Sequence, residues 1–96
     1  MQTKLICYTL GKVSSTLRNR FKRHLNGYVD YSCKGRYKYH REGILNNIPH
    51  IKPIRSIIIV KSRDTKKITE FLKEHNAEYE VFDVKLSKKH SDQLRK

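Results

Sequence analysis

Tyr37, Tyr39, His40 and Arg41 stand within five consecutive positions. They are the residue types a metal-independent ribonuclease uses. An imidazole or phenol can move the protons, and a guanidinium can hold the charge on a pentacoordinate phosphate. One expectation is therefore a small endoribonuclease using His40 with Tyr37 or Tyr39, with Arg41 as the cation. The other histidines, His24, His50, His75 and His90, are scattered rather than paired.

The same stretch has a second chemistry. The segment YVDYSCKGRYKYHR, residues 28–41, interleaves Tyr28, Tyr31, Tyr37 and Tyr39 with Lys34, Arg36, Lys38 and Arg41. Bases stack on aromatic rings while cations follow phosphates, so a single-strand surface needs both. Strand alternation puts Tyr37 and Tyr39 on one face and Arg36, Lys38 and His40 on the other. The plainer alternative is that the tyrosines cover a thin sheet and the cations form a solvated face.

Two turns offer anion chemistry. Gly11-Lys12-Val13-Ser14-Ser15 sits where a strand hands over to a helix, and free N–H groups and the helix dipole there attract phosphate. It is not a Walker A loop, because the first glycine and the four-residue spacer are missing. Lys61-Ser62-Arg63-Asp64 has the same character. No CxxC, HxH or HExxH spacing occurs, and seven of the nine acids fall in residues 64–96, so neither a metal nor a cofactor is expected.

Charge supports binding to a polyanion. Residues 1–63 carry 14 Lys/Arg against two acids, a surplus of 12. Residues 64–96 carry eight against seven, a surplus of one. A field this one-sided is the footprint of nucleic-acid binding.

Around these residues the chain reads as an α+β protein. Residues 3–10 read as a buried strand and 14–26 as a helix capped by Ser14 or Ser15, with Leu17, Phe21 and Leu25 as its apolar stripe. Residues 28–33 and 36–40 read as a hairpin turning at Lys34-Gly35. A loop follows to residue 54, with a helical turn at 42–47. The run 55–61, with three Ile and a Val in succession, reads as a central strand. Residues 64–75 read as a second helix, with Ser62 or Asp64 as cap and Ile68, Phe71 and Leu72 inward. Glu70, Glu74 and Glu78 read as a solvated face paired with Lys66, Lys67 and Lys73. Residues 79–86 read as the last strand, with Phe82, Val84 and Leu86 on one face.

That order predicts a ferredoxin-like split βαβ sandwich: a mixed or antiparallel sheet, two helices on one face and an extra hairpin arm. In it the strands at 3–10 and 55–61 are parallel neighbours, so Lys12, Lys61 and Arg63 converge at one sheet edge. The run Lys34-Gly35-Arg36-Tyr37-Lys38-Tyr39 is similar in its opening to the RNP1 strand of the RNA recognition motif, which also has a four-stranded split βαβ sheet. Arg36 and Lys38 stand where that family has aromatics. The resemblance is one of fold only.

The 96 residues are expected to form one basic domain over 1–87, with a polar tail at 88–96 that lacks a packing pattern. Cys7 and Cys33 make no disulfide framework and read as small buried hydrophobes in strands. No secretory signal or membrane-spanning run is visible, so a cytoplasmic location is expected. The expected function is nucleic-acid binding, RNA ahead of DNA, with the ribonuclease as the alternative. The expected contacts are Lys12, Arg18, Arg20, Lys22, Arg23, Lys34, Arg36, Tyr37, Lys38, Tyr39, Arg41, Lys61 and Arg63. A homodimer through the sheet is a further expectation.

Overall fold

In the computed structural model, which describes residues 2–32 and 34–94, the elements run β1 (Thr3–Thr9), α1 (Ser15–Asn26), β2 (Tyr28–Ser32), β3 (Tyr37–Arg41), β4 (His50–Ile51), β5 (Ile57–Lys61), α2 (Thr65–Glu74), β6 (Glu78–Val84) and α3 (Lys88–Gln93). Short 3₁₀ turns occupy Ile44–Asn47 and Ser62–Asp64. This is a small α+β protein with two antiparallel sheets. Expectations for Cys33 lie outside the described residues.

The chain divides into two compact units, one of residues Met1–Lys12 and Ile48–Lys96, the other of Val13–Asn47. The first holds a four-stranded sheet in the order β4-β5-β1-β6. Burial of Ile58, Ile59 and Val60 in succession gives β5 its interior place. Ile6 and Ile58 are register partners, as are Lys4 and Val60, so Ile6, Ile58 and Val60 share a face. All three are fully buried, as are Ile68 and Leu72 of α2. The opposite face is more open, and Phe82 is 47% exposed on it.

The strand at 28–33, expected as the second strand of this sheet, does not take that place, and β1 and β5 are neighbours as expected but run antiparallel. β1 pairs with β5 antiparallel, Thr3 opposite Lys61 and Cys7 opposite Ile57. β6 also runs antiparallel to β1, on its other side. β5 and β6 are therefore parallel to each other, with α2 between them in sequence and β1 between them in space; β1 and β4 are likewise parallel, with β5 between them. β2 does not enter this sheet and pairs only with β3. The physical reason lies in composition. YVDYS and YKYHR have a single aliphatic residue between them, so neither can fill an interior position with apolar groups on both faces.

Two further expectations change. Cys7 is half-buried rather than buried. The segment from 88, read as a tail without packing, forms α3 beside β4, and Leu94 after it is fully buried. A lone leucine makes no periodic pattern, which is why composition hid the anchor. α2 carries its expected apolar stripe, and Lys66 reaches Glu70 at 4.0 Å. Asp64 stands at its N-cap position but makes no capping hydrogen bond.

The second unit is built around α1. Ser14 caps the helix, its hydroxyl accepting from the Leu17 N–H at 3.2 Å. Phe21 and Leu25 are buried, but Leu17, expected in the same stripe, is 50% exposed. Past the helix, two glycines bring the chain onto itself. A Cβ on Gly43 would lie 2.3 Å from the Gly27 nitrogen, and one on Gly27 would lie 2.6 Å from the Arg41 carbonyl oxygen. Gly27 also has φ +80°, which side chains resist. The Gly43 N–H donates to the Asn46 side-chain oxygen. These contacts hold the start of β2 against the end of β3.

Candidate nucleic-acid interface

β2 and β3 form a two-stranded antiparallel ribbon whose turn is closed by the Gly35 N–H donating to the Ser32 carbonyl at 3.2 Å. The register sets Tyr28 opposite Arg41, Asp30 opposite Tyr39 and Ser32 opposite Tyr37. Paired residues share a face and alternate ones reverse it. One face therefore carries Tyr28, Tyr37, Tyr39, Arg41 and Asp30. The other carries Val29, Tyr31, Lys38 and His40.

Every residue of β3 is exposed. Tyr37 is 54% and Tyr39 49% exposed, so neither ring is a core residue. Two cations lie against rings of this face. The Arg41 guanidinium is 5.7 Å from the Tyr39 ring centre, and Arg23 of α1 is 5.0 Å from that of Tyr28. Both fall within the roughly 6 Å reach of a cation–π contact. Arg41 also approaches Asp30 at 3.6 Å.

From Tyr28 the surface continues along α1. A groove of about 370 Å³ is lined by Thr16, Asn19, Arg20, Arg23, His24 and Tyr28. The five helical residues stand at i, i+3, i+4, i+7 and i+8, which is one face of the helix. The basic residues of α1 thus fall on two flanks. Arg20 and Arg23 line the groove, whereas Arg18 and Lys22, exposed as well, do not. Thr16, Asn19, His24 and Tyr28 were not among the expected contacts. The signal was present in the spacing of Thr16, Arg20 and His24, four residues apart, but charge alone drew the reading to every cation of the helix.

Two expected groupings are not assembled. Lys61 stands opposite Thr3, at the start of β1, while Lys12 follows the end of that strand. Seven residues of strand, about 20 Å from end to end, separate the two turns. The antiparallel pairing is the cause: parallel neighbours would have sent both turns to one edge. Lys12, Lys61 and Arg63 accordingly form no joint anion site. Likewise His40 faces away from Tyr37 and Tyr39, as alternation requires, so the ribbon does not assemble the expected pairing of the His40 imidazole with either of those phenols. Lys34 and Arg36 are exposed at the ribbon's turn, and Lys38 is exposed on the His40 face.

Among the described residues no group of three or more His, Cys, Asp or Glu side chains could hold a metal ion. No helix among them is long and apolar enough to cross a membrane. No known protein family, curated protein or solved structure matches the chain.

Proposed function

We propose that residues 13–47 bind single-stranded nucleic acid, RNA ahead of DNA, along the tyrosine face of the β2–β3 ribbon and the Arg20–Arg23 flank of α1. The observation that carries this reading is the face shared by half-buried Tyr28 and exposed Tyr37 and Tyr39, with Arg23 and Arg41 against its rings. Tyr37 and Tyr39 are two residues apart, so their rings stand about 7 Å apart along the strand. That exceeds the 3.4 Å rise of a stacked strand. Each ring would take one base of an unstacked strand, while Arg41, Arg23 and Arg20 follow the phosphates.

Charge favours the same unit. Residues 13–47 hold eight Lys/Arg against two acids. Of those acids, Asp30 approaches Arg41, and Glu42 accepts from the Asn47 side chain at 3.1 Å. Rings alternating with cations favour RNA and other single strands over a duplex, because only unpaired bases can stack on them.

Fluorescence titrations of the whole protein with single-stranded RNA, single-stranded DNA and duplexes of equal length, each at several salt concentrations, test the proposal. Single strands should bind more tightly than duplexes at every salt. Equal affinity for duplex and single strand would reject the stacking surface and leave charge alone.

A further inference from the structure

We infer that the α1 groove is a site for a phosphate monoester, the terminal phosphate of a nucleotide or of a strand. The inference rests on the single-strand reading above and adds a specific end-contact to it. Four observations converge on the groove. First, two guanidiniums, Arg20 and Arg23, line it beside the neutral polar groups of Thr16 and Asn19, and among its described lining residues there is no carboxylate. Second, α1 contains no acid at all, unlike α2, where Lys66 reaches Glu70. Cations three apart on such a helix repel one another, and an anion between them relieves that cost. Third, Arg23 is held against the Tyr28 ring. A guanidinium already held over a ring loses less freedom when it grips an anion. Fourth, the volume of about 370 Å³ lies within the range of small-molecule sites and is far larger than a simple ion needs.

A monoester fits this chemistry better than a diester. It carries more negative charge and offers three acceptor oxygens. Two arginine forks can each bond two of them. The ring of Tyr28 at the groove wall provides an apolar surface for the attached sugar or base.

The test uses the whole protein and one short single-stranded RNA made in three forms: 5′-phosphate, 3′-phosphate, and hydroxyl at both ends. A nucleoside monophosphate and its parent nucleoside are titrated beside them. One phosphorylated form should bind about tenfold more tightly than the hydroxyl form, the scale of one added charge-assisted bidentate contact. The preference should vanish in Arg20→Gln/Arg23→Gln. It should survive in Arg18→Gln/Lys22→Gln, which should weaken all three RNAs alike. Arg23→Lys, which keeps the charge but loses the bidentate fork, should reduce the preference. Circular dichroism melts of each variant exclude unfolding as the cause.

Binding of the monophosphate in preference to the nucleoside, with no end preference among the RNAs, would identify a free nucleotide as the occupant and sustain the site. Tight RNA binding without any preference for a terminal phosphate, together with no discrimination of the mononucleotide, would overturn the inference while leaving the single-strand reading intact. Absence of binding to every RNA and nucleotide would overturn both.

Discussion

Tyr37 and Tyr39 differ from buried aromatics in what their removal should cost. Each ring is about half exposed on a face that Arg41 shares. Tyr37→Ala and Tyr39→Ala should each weaken single-strand binding by about 1 to 3 kcal/mol, the usual worth of one base–aromatic stack. Their unfolding free energy should move by no more than about 0.5 kcal/mol, as for surface positions. Parallel titrations and denaturant melts read both quantities. Tyr31 is a natural control, because it is 59% exposed but lies on the opposite face. Tyr31→Ala should leave binding unchanged. His40→Ala should likewise leave binding unchanged, since His40 points away from the tyrosine face.

At the level of elements, α1 and the ribbon depend on the two glycines that bring Leu25–Gly27 against Arg41–Gly43. In Gly43→Ala the new Cβ would collide with backbone atoms, which cannot swing aside as a side chain could. The unit should lose about 1 to 3 kcal/mol, measured by denaturant unfolding, and its single-strand affinity should fall with it. The helix gives a second, graded check. Leu25→Ala removes a buried side chain and should cost about 2 to 5 kcal/mol. Leu17→Ala should cost no more than about 0.5 kcal/mol.

Leu17 also shows how far periodicity carries a reading. The spacing of Leu17, Phe21 and Leu25 located α1 correctly, and Ser14 marked its start. Spacing could not say how wide a stripe the neighbouring ribbon would cover, because that depends on partners distant in sequence. The same limit applies to the sheets. The runs that became β1, β5 and β6 were plain in the sequence, since each has the composition of a strand. The adjacency of β1 and β5 was legible too, but their antiparallel direction was not, because direction follows from long-range contacts that no local pattern encodes. Residues 28–33 were expected as the second strand of the same sheet, following the strand–helix–strand order. Asp30 and the scarcity of aliphatics in that segment argued for a half-solvated ribbon instead. The tyrosine–cation alternation was legible residue by residue. The groove on α1 was not, because it needs Tyr28 folded back against Arg23.

Across the whole molecule the charge is unevenly shared. Residues 13–47 carry eight Lys/Arg against two acids, and the remaining 61 residues carry 14 against seven. The surplus per residue is therefore greater in the unit that holds the tyrosine face. If Arg20, Arg23 and Arg41 meet phosphates, the logarithm of single-strand affinity should fall with the logarithm of salt at a slope of roughly −2.1. Arg20→Gln/Arg23→Gln should flatten that slope by about 1.4. A titration series from low to moderate salt gives both slopes.

The most direct test of the central claim is a nuclear magnetic resonance titration of the isotope-labelled protein with a short single-stranded RNA, with each perturbed resonance assigned to its residue. The account expects perturbations concentrated at Arg20, Arg23, Tyr28, Tyr37, Tyr39 and Arg41. It expects Tyr31, Lys38 and His40 on the reverse face of the ribbon, and β5 and β6 of the other unit, to shift little. Perturbations centred on β5 and β6, or on Tyr31 and His40 with Tyr37 and Tyr39 unmoved, would contradict it.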